Sequence, residues 1–213
     1  MSTSPESPLT PDPAFSVPAA SSDLDIVADG LRKRGIAAVV VDDGQAARAA
    51  VHNLIPEGAH VFNATSRTLE QIGLAKDITE AGRYQATRDL VDQLNPQTQA
   101  DEYRRAVASP QVVVGSVHAV TRDGQLIIAS ASGSQLAAYA FGSTQVIWVV
   151  GAQKVVDDLE HGLQRVQRYA YPLEDARARV AYGMPSAVNK QLIISGEYPG
   201  RATVVLVREP LGF

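Results

Sequence analysis

The chain has 213 residues, of which 45% are hydrophobic, and its formal net charge is -4 at pH 7. This length and hydrophobic content suffice for one full core, so a single folded domain is the default expectation. The acidic balance and the lack of a long basic run argue against nucleic acid, or an anionic membrane surface, as the main partner. A small soluble ligand fits better.

Single residue types narrow the chemistry further. The chain has no cysteine, which excludes a disulfide, a thiol nucleophile and a cysteine-ligated iron–sulfur cluster and agrees with a cytoplasmic protein. The four histidines stand far apart without a metal-ligand spacing, so we expect no protein-built metal site. They are His52, His60, His118 and His161. No apolar run is long enough to cross a membrane, and the sequence does not indicate a cofactor.

The first 22 residues are rich in serine, threonine and proline and have no apolar period. This composition predicts a disordered tail over residues 1–22 and a folded domain over residues 23–213. The tail lacks the basic start and apolar segment of a signal peptide. The domain is expected to begin with a helix capped by Asp23, with Leu24, Val27 and Leu31 on its buried face and Gly35 at its end.

Helical and strand-like segments then alternate along the chain. IAAVVV, AHVFNA and VVVGSVHAV read as strands; helices are expected over residues 45–54, from TSRTLEQIGL onward, and over most of 76–108 with a break near Asn95 and Pro96. Such alternation predicts an α/β fold with an open, mostly parallel sheet and helices on both faces. Hairpins at the RDG turn (122–124) and at ISGEYPG make the expected sheet mixed.

Two small polar loops are the candidate ligand site. They are Asn63–Thr68, after AHVFNA, and Ala129–Gln135, after QLIIAS, and each leads into a predicted helix. Ligands of open α/β sheets bind beyond the strands' carboxyl ends, and free amides at a helix start attract anions. We therefore expect the loops to form two walls of one anion pocket, against the alternative of ordinary turns with capping serines. The candidates are Ser66, Arg67, Thr68, Ser130, Ser132, Gly133, Ser134 and Gln135.

Other candidate residues have a structural reading beside the functional one. His118 lies in an alternating strand, and two interpretations are open for it: a catalytic base, or a half-buried histidine whose hydrogen bonds are satisfied within the fold. Asn189 and Lys190 open the strand NKQLII with side chains on opposite faces, so at most one of them enters a given pocket. Arg67 and Glu70 are spaced to pair on a helix surface.

Several long runs, in order, resemble the LUD domain family, which includes the lactate utilisation protein C. These runs are SRTLEQIGL, GSVHAVTRDGQLIIASASGSQLAAYAFG, VIWVVGAQKVVDDLEHGLQRV and YGMPSAVNKQLII, and the match extends from about residue 24 to the C-terminus. The resemblance implies a fold of the NagB/RpiA/CoA transferase-like kind, a Rossmann-like sheet with a small added β element. It also implies a link to the oxidation of lactate to pyruvate, in which companion iron–sulfur subunits carry the electrons.

The chain also departs from the pattern of its relatives. It reads HAVTRDG where the lactate proteins resemble AETGT, and so offers His118 and Thr121. Sugar-phosphate isomerases of the superfamily begin the glycine-rich loop with lysine; here serines stand there, which leaves Lys190 as the candidate acid. CoA-transferases use a glutamate nucleophile, for which only Glu70 and Glu197 lie near loops.

Two hypotheses follow. In the first, the chain is an enzyme that holds a small anion while His118 or Lys190 moves a proton. In the second, it is a noncatalytic assembly subunit that docks on redox partners. A homo-oligomer is compatible with either hypothesis.

Overall fold

Ten strands and eight α-helices alternate along the part of the chain that the computed structural model describes, residues 9–95 and 97–213. The strands are β1 (Ala37–Val41), β2 (His60–Asn63), β3 (Gln85–Ala86), β4 (Val112–Gly115), β5 (Ala119–Thr121), β6 (Leu126–Ser130), β7 (Gln145–Gly151), β8 (Val155–Val156), β9 (Lys190–Ile194) and β10 (Ala202–Val207). The α-helices are α1 (Ser21–Lys33), α2 (Gly44–Leu54), α3 (Arg67–Gln71), α4 (Leu74–Glu80), α5 (Thr87–Val91), α6 (Ala100–Ala108), α7 (Leu159–Arg165) and α8 (Tyr171–Tyr182). None of the helices in these ranges is long and apolar enough to cross a membrane.

Six strands form a parallel sheet in the order β1-β10-β7-β4-β2-β3. Its central strand β7 is almost wholly buried, as a sheet covered on both faces requires. Side chains alternate between the faces: Val146 and Trp148 join the core under α1, whereas Ile147 and Val149 join the core under α2 and α4. The predicted α/β class, with a mostly parallel sheet and helices on both faces, is confirmed, whereas the antiparallel strands expected in this same sheet belong to a separate one.

A second sheet has four strands in the order β8-β5-β6-β9 and mixes parallel with antiparallel pairs. The predicted hairpin at the RDG turn joins β5 to β6, with Gly124 in the left-handed region at φ 91°. The predicted hairpin at ISGEYPG is wrong, because this segment connects the two sheets. The strands differ in burial: β9 is largely exposed, while β10 is buried on both faces between β1 and β7.

The predicted helix starts are close to those observed. α1 begins at Ser21, so Asp23 is not its N-cap as predicted: Asp23 lies in the first turn, where its carboxylate accepts a hydrogen bond from the amide of the N-cap residue Ala20 at 3.3 Å. Leu24, Val27 and Leu31 are fully buried, as their spacing predicts. The stretch 76–108 is less helical than predicted, because it contains β3 and two breaks between its helices.

The predicted disordered tail differs from the observed structure wherever the structure describes it. Residues 1–8 of that tail lie outside the described residues. The amide of Asp12 donates to the Arg168 carbonyl at 2.8 Å, and the Asp12 carboxylate contacts the Arg168 guanidinium at 2.5 Å. Phe15 is buried in a 3-10 turn that covers Pro13–Ser16. One buried aromatic ring and one ion pair thus attach a segment whose composition alone predicts disorder.

Candidate functional site

A cavity of about 580 Å³ opens at the carboxyl ends of the parallel strands β2, β4 and β7. The residues that follow these strands line it: 64–68 after β2, 116–118 after β4, and Lys154 after β7. The small sheet adds residues 128–132, and the opposite wall comes from a π-helical turn (Val166–Ala170), α8 and residues 184–188. This is the edge of an α/β sheet at which ligands bind.

Both predicted loops line this one cavity. In the first loop, the Ser66 hydroxyl accepts from the Leu69 amide at 3.5 Å and caps α3, while Arg67 forms an ion pair with Glu70. In the second loop, polar groups bond to one another, and the Gly133 amide donates to Ser130 Oγ at 2.9 Å. The remaining hydroxyls of this loop also pair internally, among Ser130, Ser132, Ser134 and Gln135. Many polar groups of the two loops therefore stabilise the loops' own conformation.

Eight of the predicted site residues line the cavity and four do not. Those lining it are Ser66, Arg67, Thr68, His118, Ser130, Ser132, Ser134 and Gln135. Thr121 donates to Asp123 inside the β5–β6 turn, and the Asn189 side-chain amide donates to the Ala131 carbonyl at 3.2 Å. Gly133 has φ 82°, and a Cβ there would lie 2.5 Å from Cδ of the exposed Lys190. None of these four residues lines the cavity: Gly133, Asn189 and Lys190 lie in or beside the second loop, and Thr121 lies at the β5–β6 turn.

His118 is held in one tautomer. Its Nδ1 accepts a hydrogen bond from the Ala129 amide at 3.1 Å, so the neutral ring carries its proton on Nε2. Burial, together with the charges of Lys154 and Arg165, lowers the pKa of His118 to about 3. In this state the ring offers a ligand an N–H donor, which differs from the base that the sequence suggests.

Lys154 is the main site residue that sequence reasoning missed. The side chain is buried, and its Nζ donates to Thr68 Oγ1 at 2.9 Å and to Ser116 Oγ at 3.0 Å. Burial and the neighbouring Arg165 hold its pKa well below the usual range for lysine. A usable signal was present, because Lys154 is the first charged residue after the buried strand β7 and so follows a carboxyl end of the sheet.

Arg165 is a second buried cation that the sequence did not reveal. Its Nε donates to the Gln153 carbonyl at 3.1 Å, Nη1 donates to the His118 carbonyl, and Nη2 has no hydrogen-bond partner in the described part of the chain. Burial lowers its pKa to about 10. The C-terminal end of α7 therefore places a guanidinium beside Lys154 and His118.

The lining of the cavity carries more positive than negative charge. Arg67 and Arg177 line it, and each is neutralised by an acid, Glu70 and Glu174 respectively. Arg88 donates to Thr65 Oγ1 at 2.9 Å and forms no ion pair within residues 9–95 and 97–213. Arg88 is thus a guanidinium of the lining that no carboxylate of the described residues balances, and Lys154 is a basic side chain with no acidic partner among those residues.

The fold and its cavity define an α/β protein with a ligand-sized site at the carboxyl edge of a parallel sheet. The LUD domain model matches residues 24–207, and the chain belongs to the LUD domain family. The chain is also similar to a solved structure, a DUF162 family protein from Deinococcus radiodurans, with a TM-score of 0.56 and 15% sequence identity over 90% of this chain and 100% of that one. At this identity the similarity concerns the fold alone. A search of curated proteins finds no significant match.

Proposed function

We propose that this LUD domain protein binds a small anionic metabolite in the cavity at the ends of β2, β4 and β7. The observation that carries the proposal is the positive charge of Arg88 in the cavity lining, which no carboxylate of the described residues balances. A guanidinium without an acid partner is suited to a carboxylate or phosphate, since it presents several N–H donors in one plane. Glu174, the one acidic side chain among the described lining residues, is already paired with Arg177.

Membership of the LUD family supports a narrower proposal, that the anion belongs to lactate utilisation. The chain would then act in the cytoplasm in the oxidation of lactate to pyruvate, beside iron–sulfur subunits that carry the electrons. Its own lack of cysteine places any such cluster in the partners. The Nε2–H of His118 would serve as a donor to a hydroxy- or oxo-acid oxygen.

The geometry gives less support to the superfamily's other reactions. Glu70 and Glu197, the candidate CoA-transferase nucleophiles, are paired with Arg67 and Arg201 and do not line the cavity. The isomerase candidate Lys190 also lies outside it. A noncatalytic assembly subunit remains the alternative, and it would bind partner proteins without turning over a metabolite.

A thermal-shift series tests the proposal, because a ligand that binds only the folded chain raises its melting temperature. The series would contain lactate, pyruvate, sugar phosphates, CoA esters and nucleotides. We expect one anionic class to raise the melting temperature. Lactate or pyruvate would support the lactate role, whereas a rise with none of these compounds would favour the assembly subunit.

Replacement of Arg88 by glutamine should lower the affinity for the ligand found in this series by about 10- to 100-fold in calorimetric titration, because a hydrogen bond to a charged group is lost. The matched control is Arg104→Gln on α6, an exposed arginine outside the cavity, whose affinity should equal that of the parent chain. Equal binding by Arg88→Gln and the parent would count against the anion site.

A further inference from the structure

We propose that Lys154 is a nucleophilic amine that forms an imine with an aldehyde or ketone group of the bound anion. This inference rests on the proposed function, because the anion site would bring the carbonyl group to the amine. It adds a chemical class to the ligand: a small anion that also carries a carbonyl group.

The hydrogen bonds of Lys154 leave one position of its nitrogen free. The Thr68 hydroxyl donates its hydrogen to the Leu211 carbonyl at 3.2 Å, and the Ser116 hydroxyl donates its hydrogen to the Val149 carbonyl at 2.6 Å. Both hydroxyls can therefore only accept from Lys154. A neutral amine has two N–H bonds and one lone pair, so the two acceptors take both hydrogens and leave the lone pair unengaged by any described residue.

The surroundings of Lys154 favour this neutral form. The charged and titratable groups that act on its amine are Arg165, from the end of α7, and the neutral His118, from the segment between β4 and β5. The carboxylates of the described part of the chain form no ion pair with it. A desolvated lysine beside another cation is the usual arrangement for a nucleophilic amine.

A hydroxyl donor stands at the same edge of the sheet. The Tyr139 ring lines the cavity, and a Cβ on Gly115 would lie only 1.7 Å from its hydroxyl oxygen. Gly115 ends β4 and directly precedes Ser116, which binds Lys154. Burial raises the pKa of Tyr139, so its phenol stays protonated and can donate to a carbonyl oxygen.

The proposed step balances without an oxidant. The lone pair of Nζ attacks the carbonyl carbon, the carbon–oxygen π bond breaks, and one of the two Nζ protons passes to the oxygen to give a carbinolamine. Loss of this hydroxyl as water, with the second Nζ proton, leaves the carbon–nitrogen double bond. One water is released for each imine formed, and no net redox change occurs.

Reductive trapping tests the imine in the full chain. The protein is incubated at pH 7 with pyruvate or glyceraldehyde 3-phosphate plus cyanoborohydride, and labelled lysines are mapped by peptide mass. The chain has only four lysines, Lys33, Lys76, Lys154 and Lys190, so the other three are internal controls. Because its neutral amine keeps a free lone pair, Lys154 should be labelled at least about tenfold faster than each of the other three lysines. Lys154→Met should lose this label.

Separate readouts distinguish the imine from anion binding. Calorimetric binding of pyruvate or glyceraldehyde 3-phosphate without label on Lys154 would overturn the imine and leave the proposed function intact. Neither binding nor label with either compound, together with no thermal shift from any anion of the series above, would overturn both. Formaldehyde with cyanoborohydride probes the amine without an anionic group: it should label Lys154 equally in the parent and Arg88→Gln, whereas pyruvate labelling should fall in the variant. Label spread evenly over all four lysines would also contradict the proposal, and this result needs no variant to fold.

Discussion

At the scale of single residues, burial determines the pKa values of the basic side chains at this site. Lys154 and Arg165 are charged residue types placed where water is excluded, and both have lowered pKa values for that reason. Such groups cost stability unless they are hydrogen-bonded, and here backbone carbonyls and two hydroxyls meet most of that need. A site that contains buried titratable groups with shifted pKa values is a candidate for ligand binding.

His118 should make the stability of the protein depend on pH. Its pKa is about 3 in the folded state and about 6.5 when unfolded, so the unfolded chain binds the proton first as the pH falls. The stabilisation is complete above pH 6.5 and is lost as the pH falls towards 3, at up to about 1.4 kcal/mol per pH unit. We expect His118→Asn, whose amide oxygen can still accept from Ala129, to flatten this slope in urea unfolding between pH 6 and 4. His60→Asn, at an exposed position, is the control, and an unchanged slope in His118→Asn would disprove the assignment.

Sequence patterns identified the site residues that lie in loops directly after strands. They missed the residues that reach the cavity only through tertiary packing. Ser66, Thr68 and the serines of the second loop follow strands and so could be found by position alone. Arg88 could not, because it lies on α5 in a region that reads only as helical, and it reaches the cavity through the packing of α5 against β2. The hydrogen bonds that fix the His118 tautomer, and the burial of Lys154, likewise exist only in the folded chain.

At the scale of elements, α1 lies unusually close to the β5–β6 turn. A Cβ on Gly30 would approach the Asp123 carbonyl carbon to 2.7 Å, and one on Gly124 would approach the Gly30 carbonyl carbon to 2.5 Å. Two ion pairs hold the same contact, Arg34 with Asp123 and Arg122 with Asp23. The helix and the small sheet can meet this closely only because both positions are glycine.

Because of this contact, Gly30→Ala should lower the stability of the protein, whereas helix propensity alone predicts that it raises stability. Alanine is better than glycine in a helix by about 1 kcal/mol, so Gly30→Ala on an isolated helix would be favourable. Here overpacking against the turn costs about 1–3 kcal/mol, and we expect a net loss of about 1 kcal/mol in the free energy of unfolding, measured with urea. The control is Asp29→Ala on the exposed side of α1, which should change stability by less than about 0.5 kcal/mol. A more stable Gly30→Ala would show that the contact is looser than described.

Local sequence patterns located most helices and strands. Long-range strand pairing determined which sheet each strand joins, which these patterns could not predict. The short apolar run AHVFNA became strand β2 as predicted, because it can be buried on both faces. The error at ISGEYPG arose because nearby strands usually pair, whereas β9 and β10 belong to different sheets. Which sheet a strand joins depends on partners more than 40 residues away in sequence, such as β6 for β9, and no turn signal encodes that.

At the scale of the whole molecule, one core joins the two sheets. Val120, Leu126 and Ile128 of the small sheet belong to the same buried cluster as Val146 and Trp148 of the parallel sheet. The cavity lies where the sheets meet, and its walls come from segments spread from residue 62 to residue 213. Its shape therefore depends on how the outer segments pack, including the one that precedes α1.

That dependence gives a prediction for Phe15, which lies far from the cavity in sequence. Its ring packs 5.1 Å from the His161 ring and 5.7 Å from the Arg168 guanidinium, and Arg168 belongs to the π-helical turn that supplies Val166 and Ala170 to the cavity wall. Phe15→Ala should lower the free energy of unfolding by about 1–3 kcal/mol, because a buried ring is lost. It should also weaken binding of the ligand by less than about tenfold, because the wall loosens while Arg88 remains in the lining.

The matched control for Phe15 is Phe141→Ala, since that ring is 90% exposed and its removal should change neither stability nor binding. Thermal unfolding and calorimetric titration of the two variants separate the possible results. An unchanged melting temperature in Phe15→Ala would mean that the segment before α1 is not attached as described. A lower melting temperature with unchanged affinity would show that the parallel sheet and its loops fix the cavity on their own, because the wall formed by Val166–Ala170 would then move without consequence for the ligand.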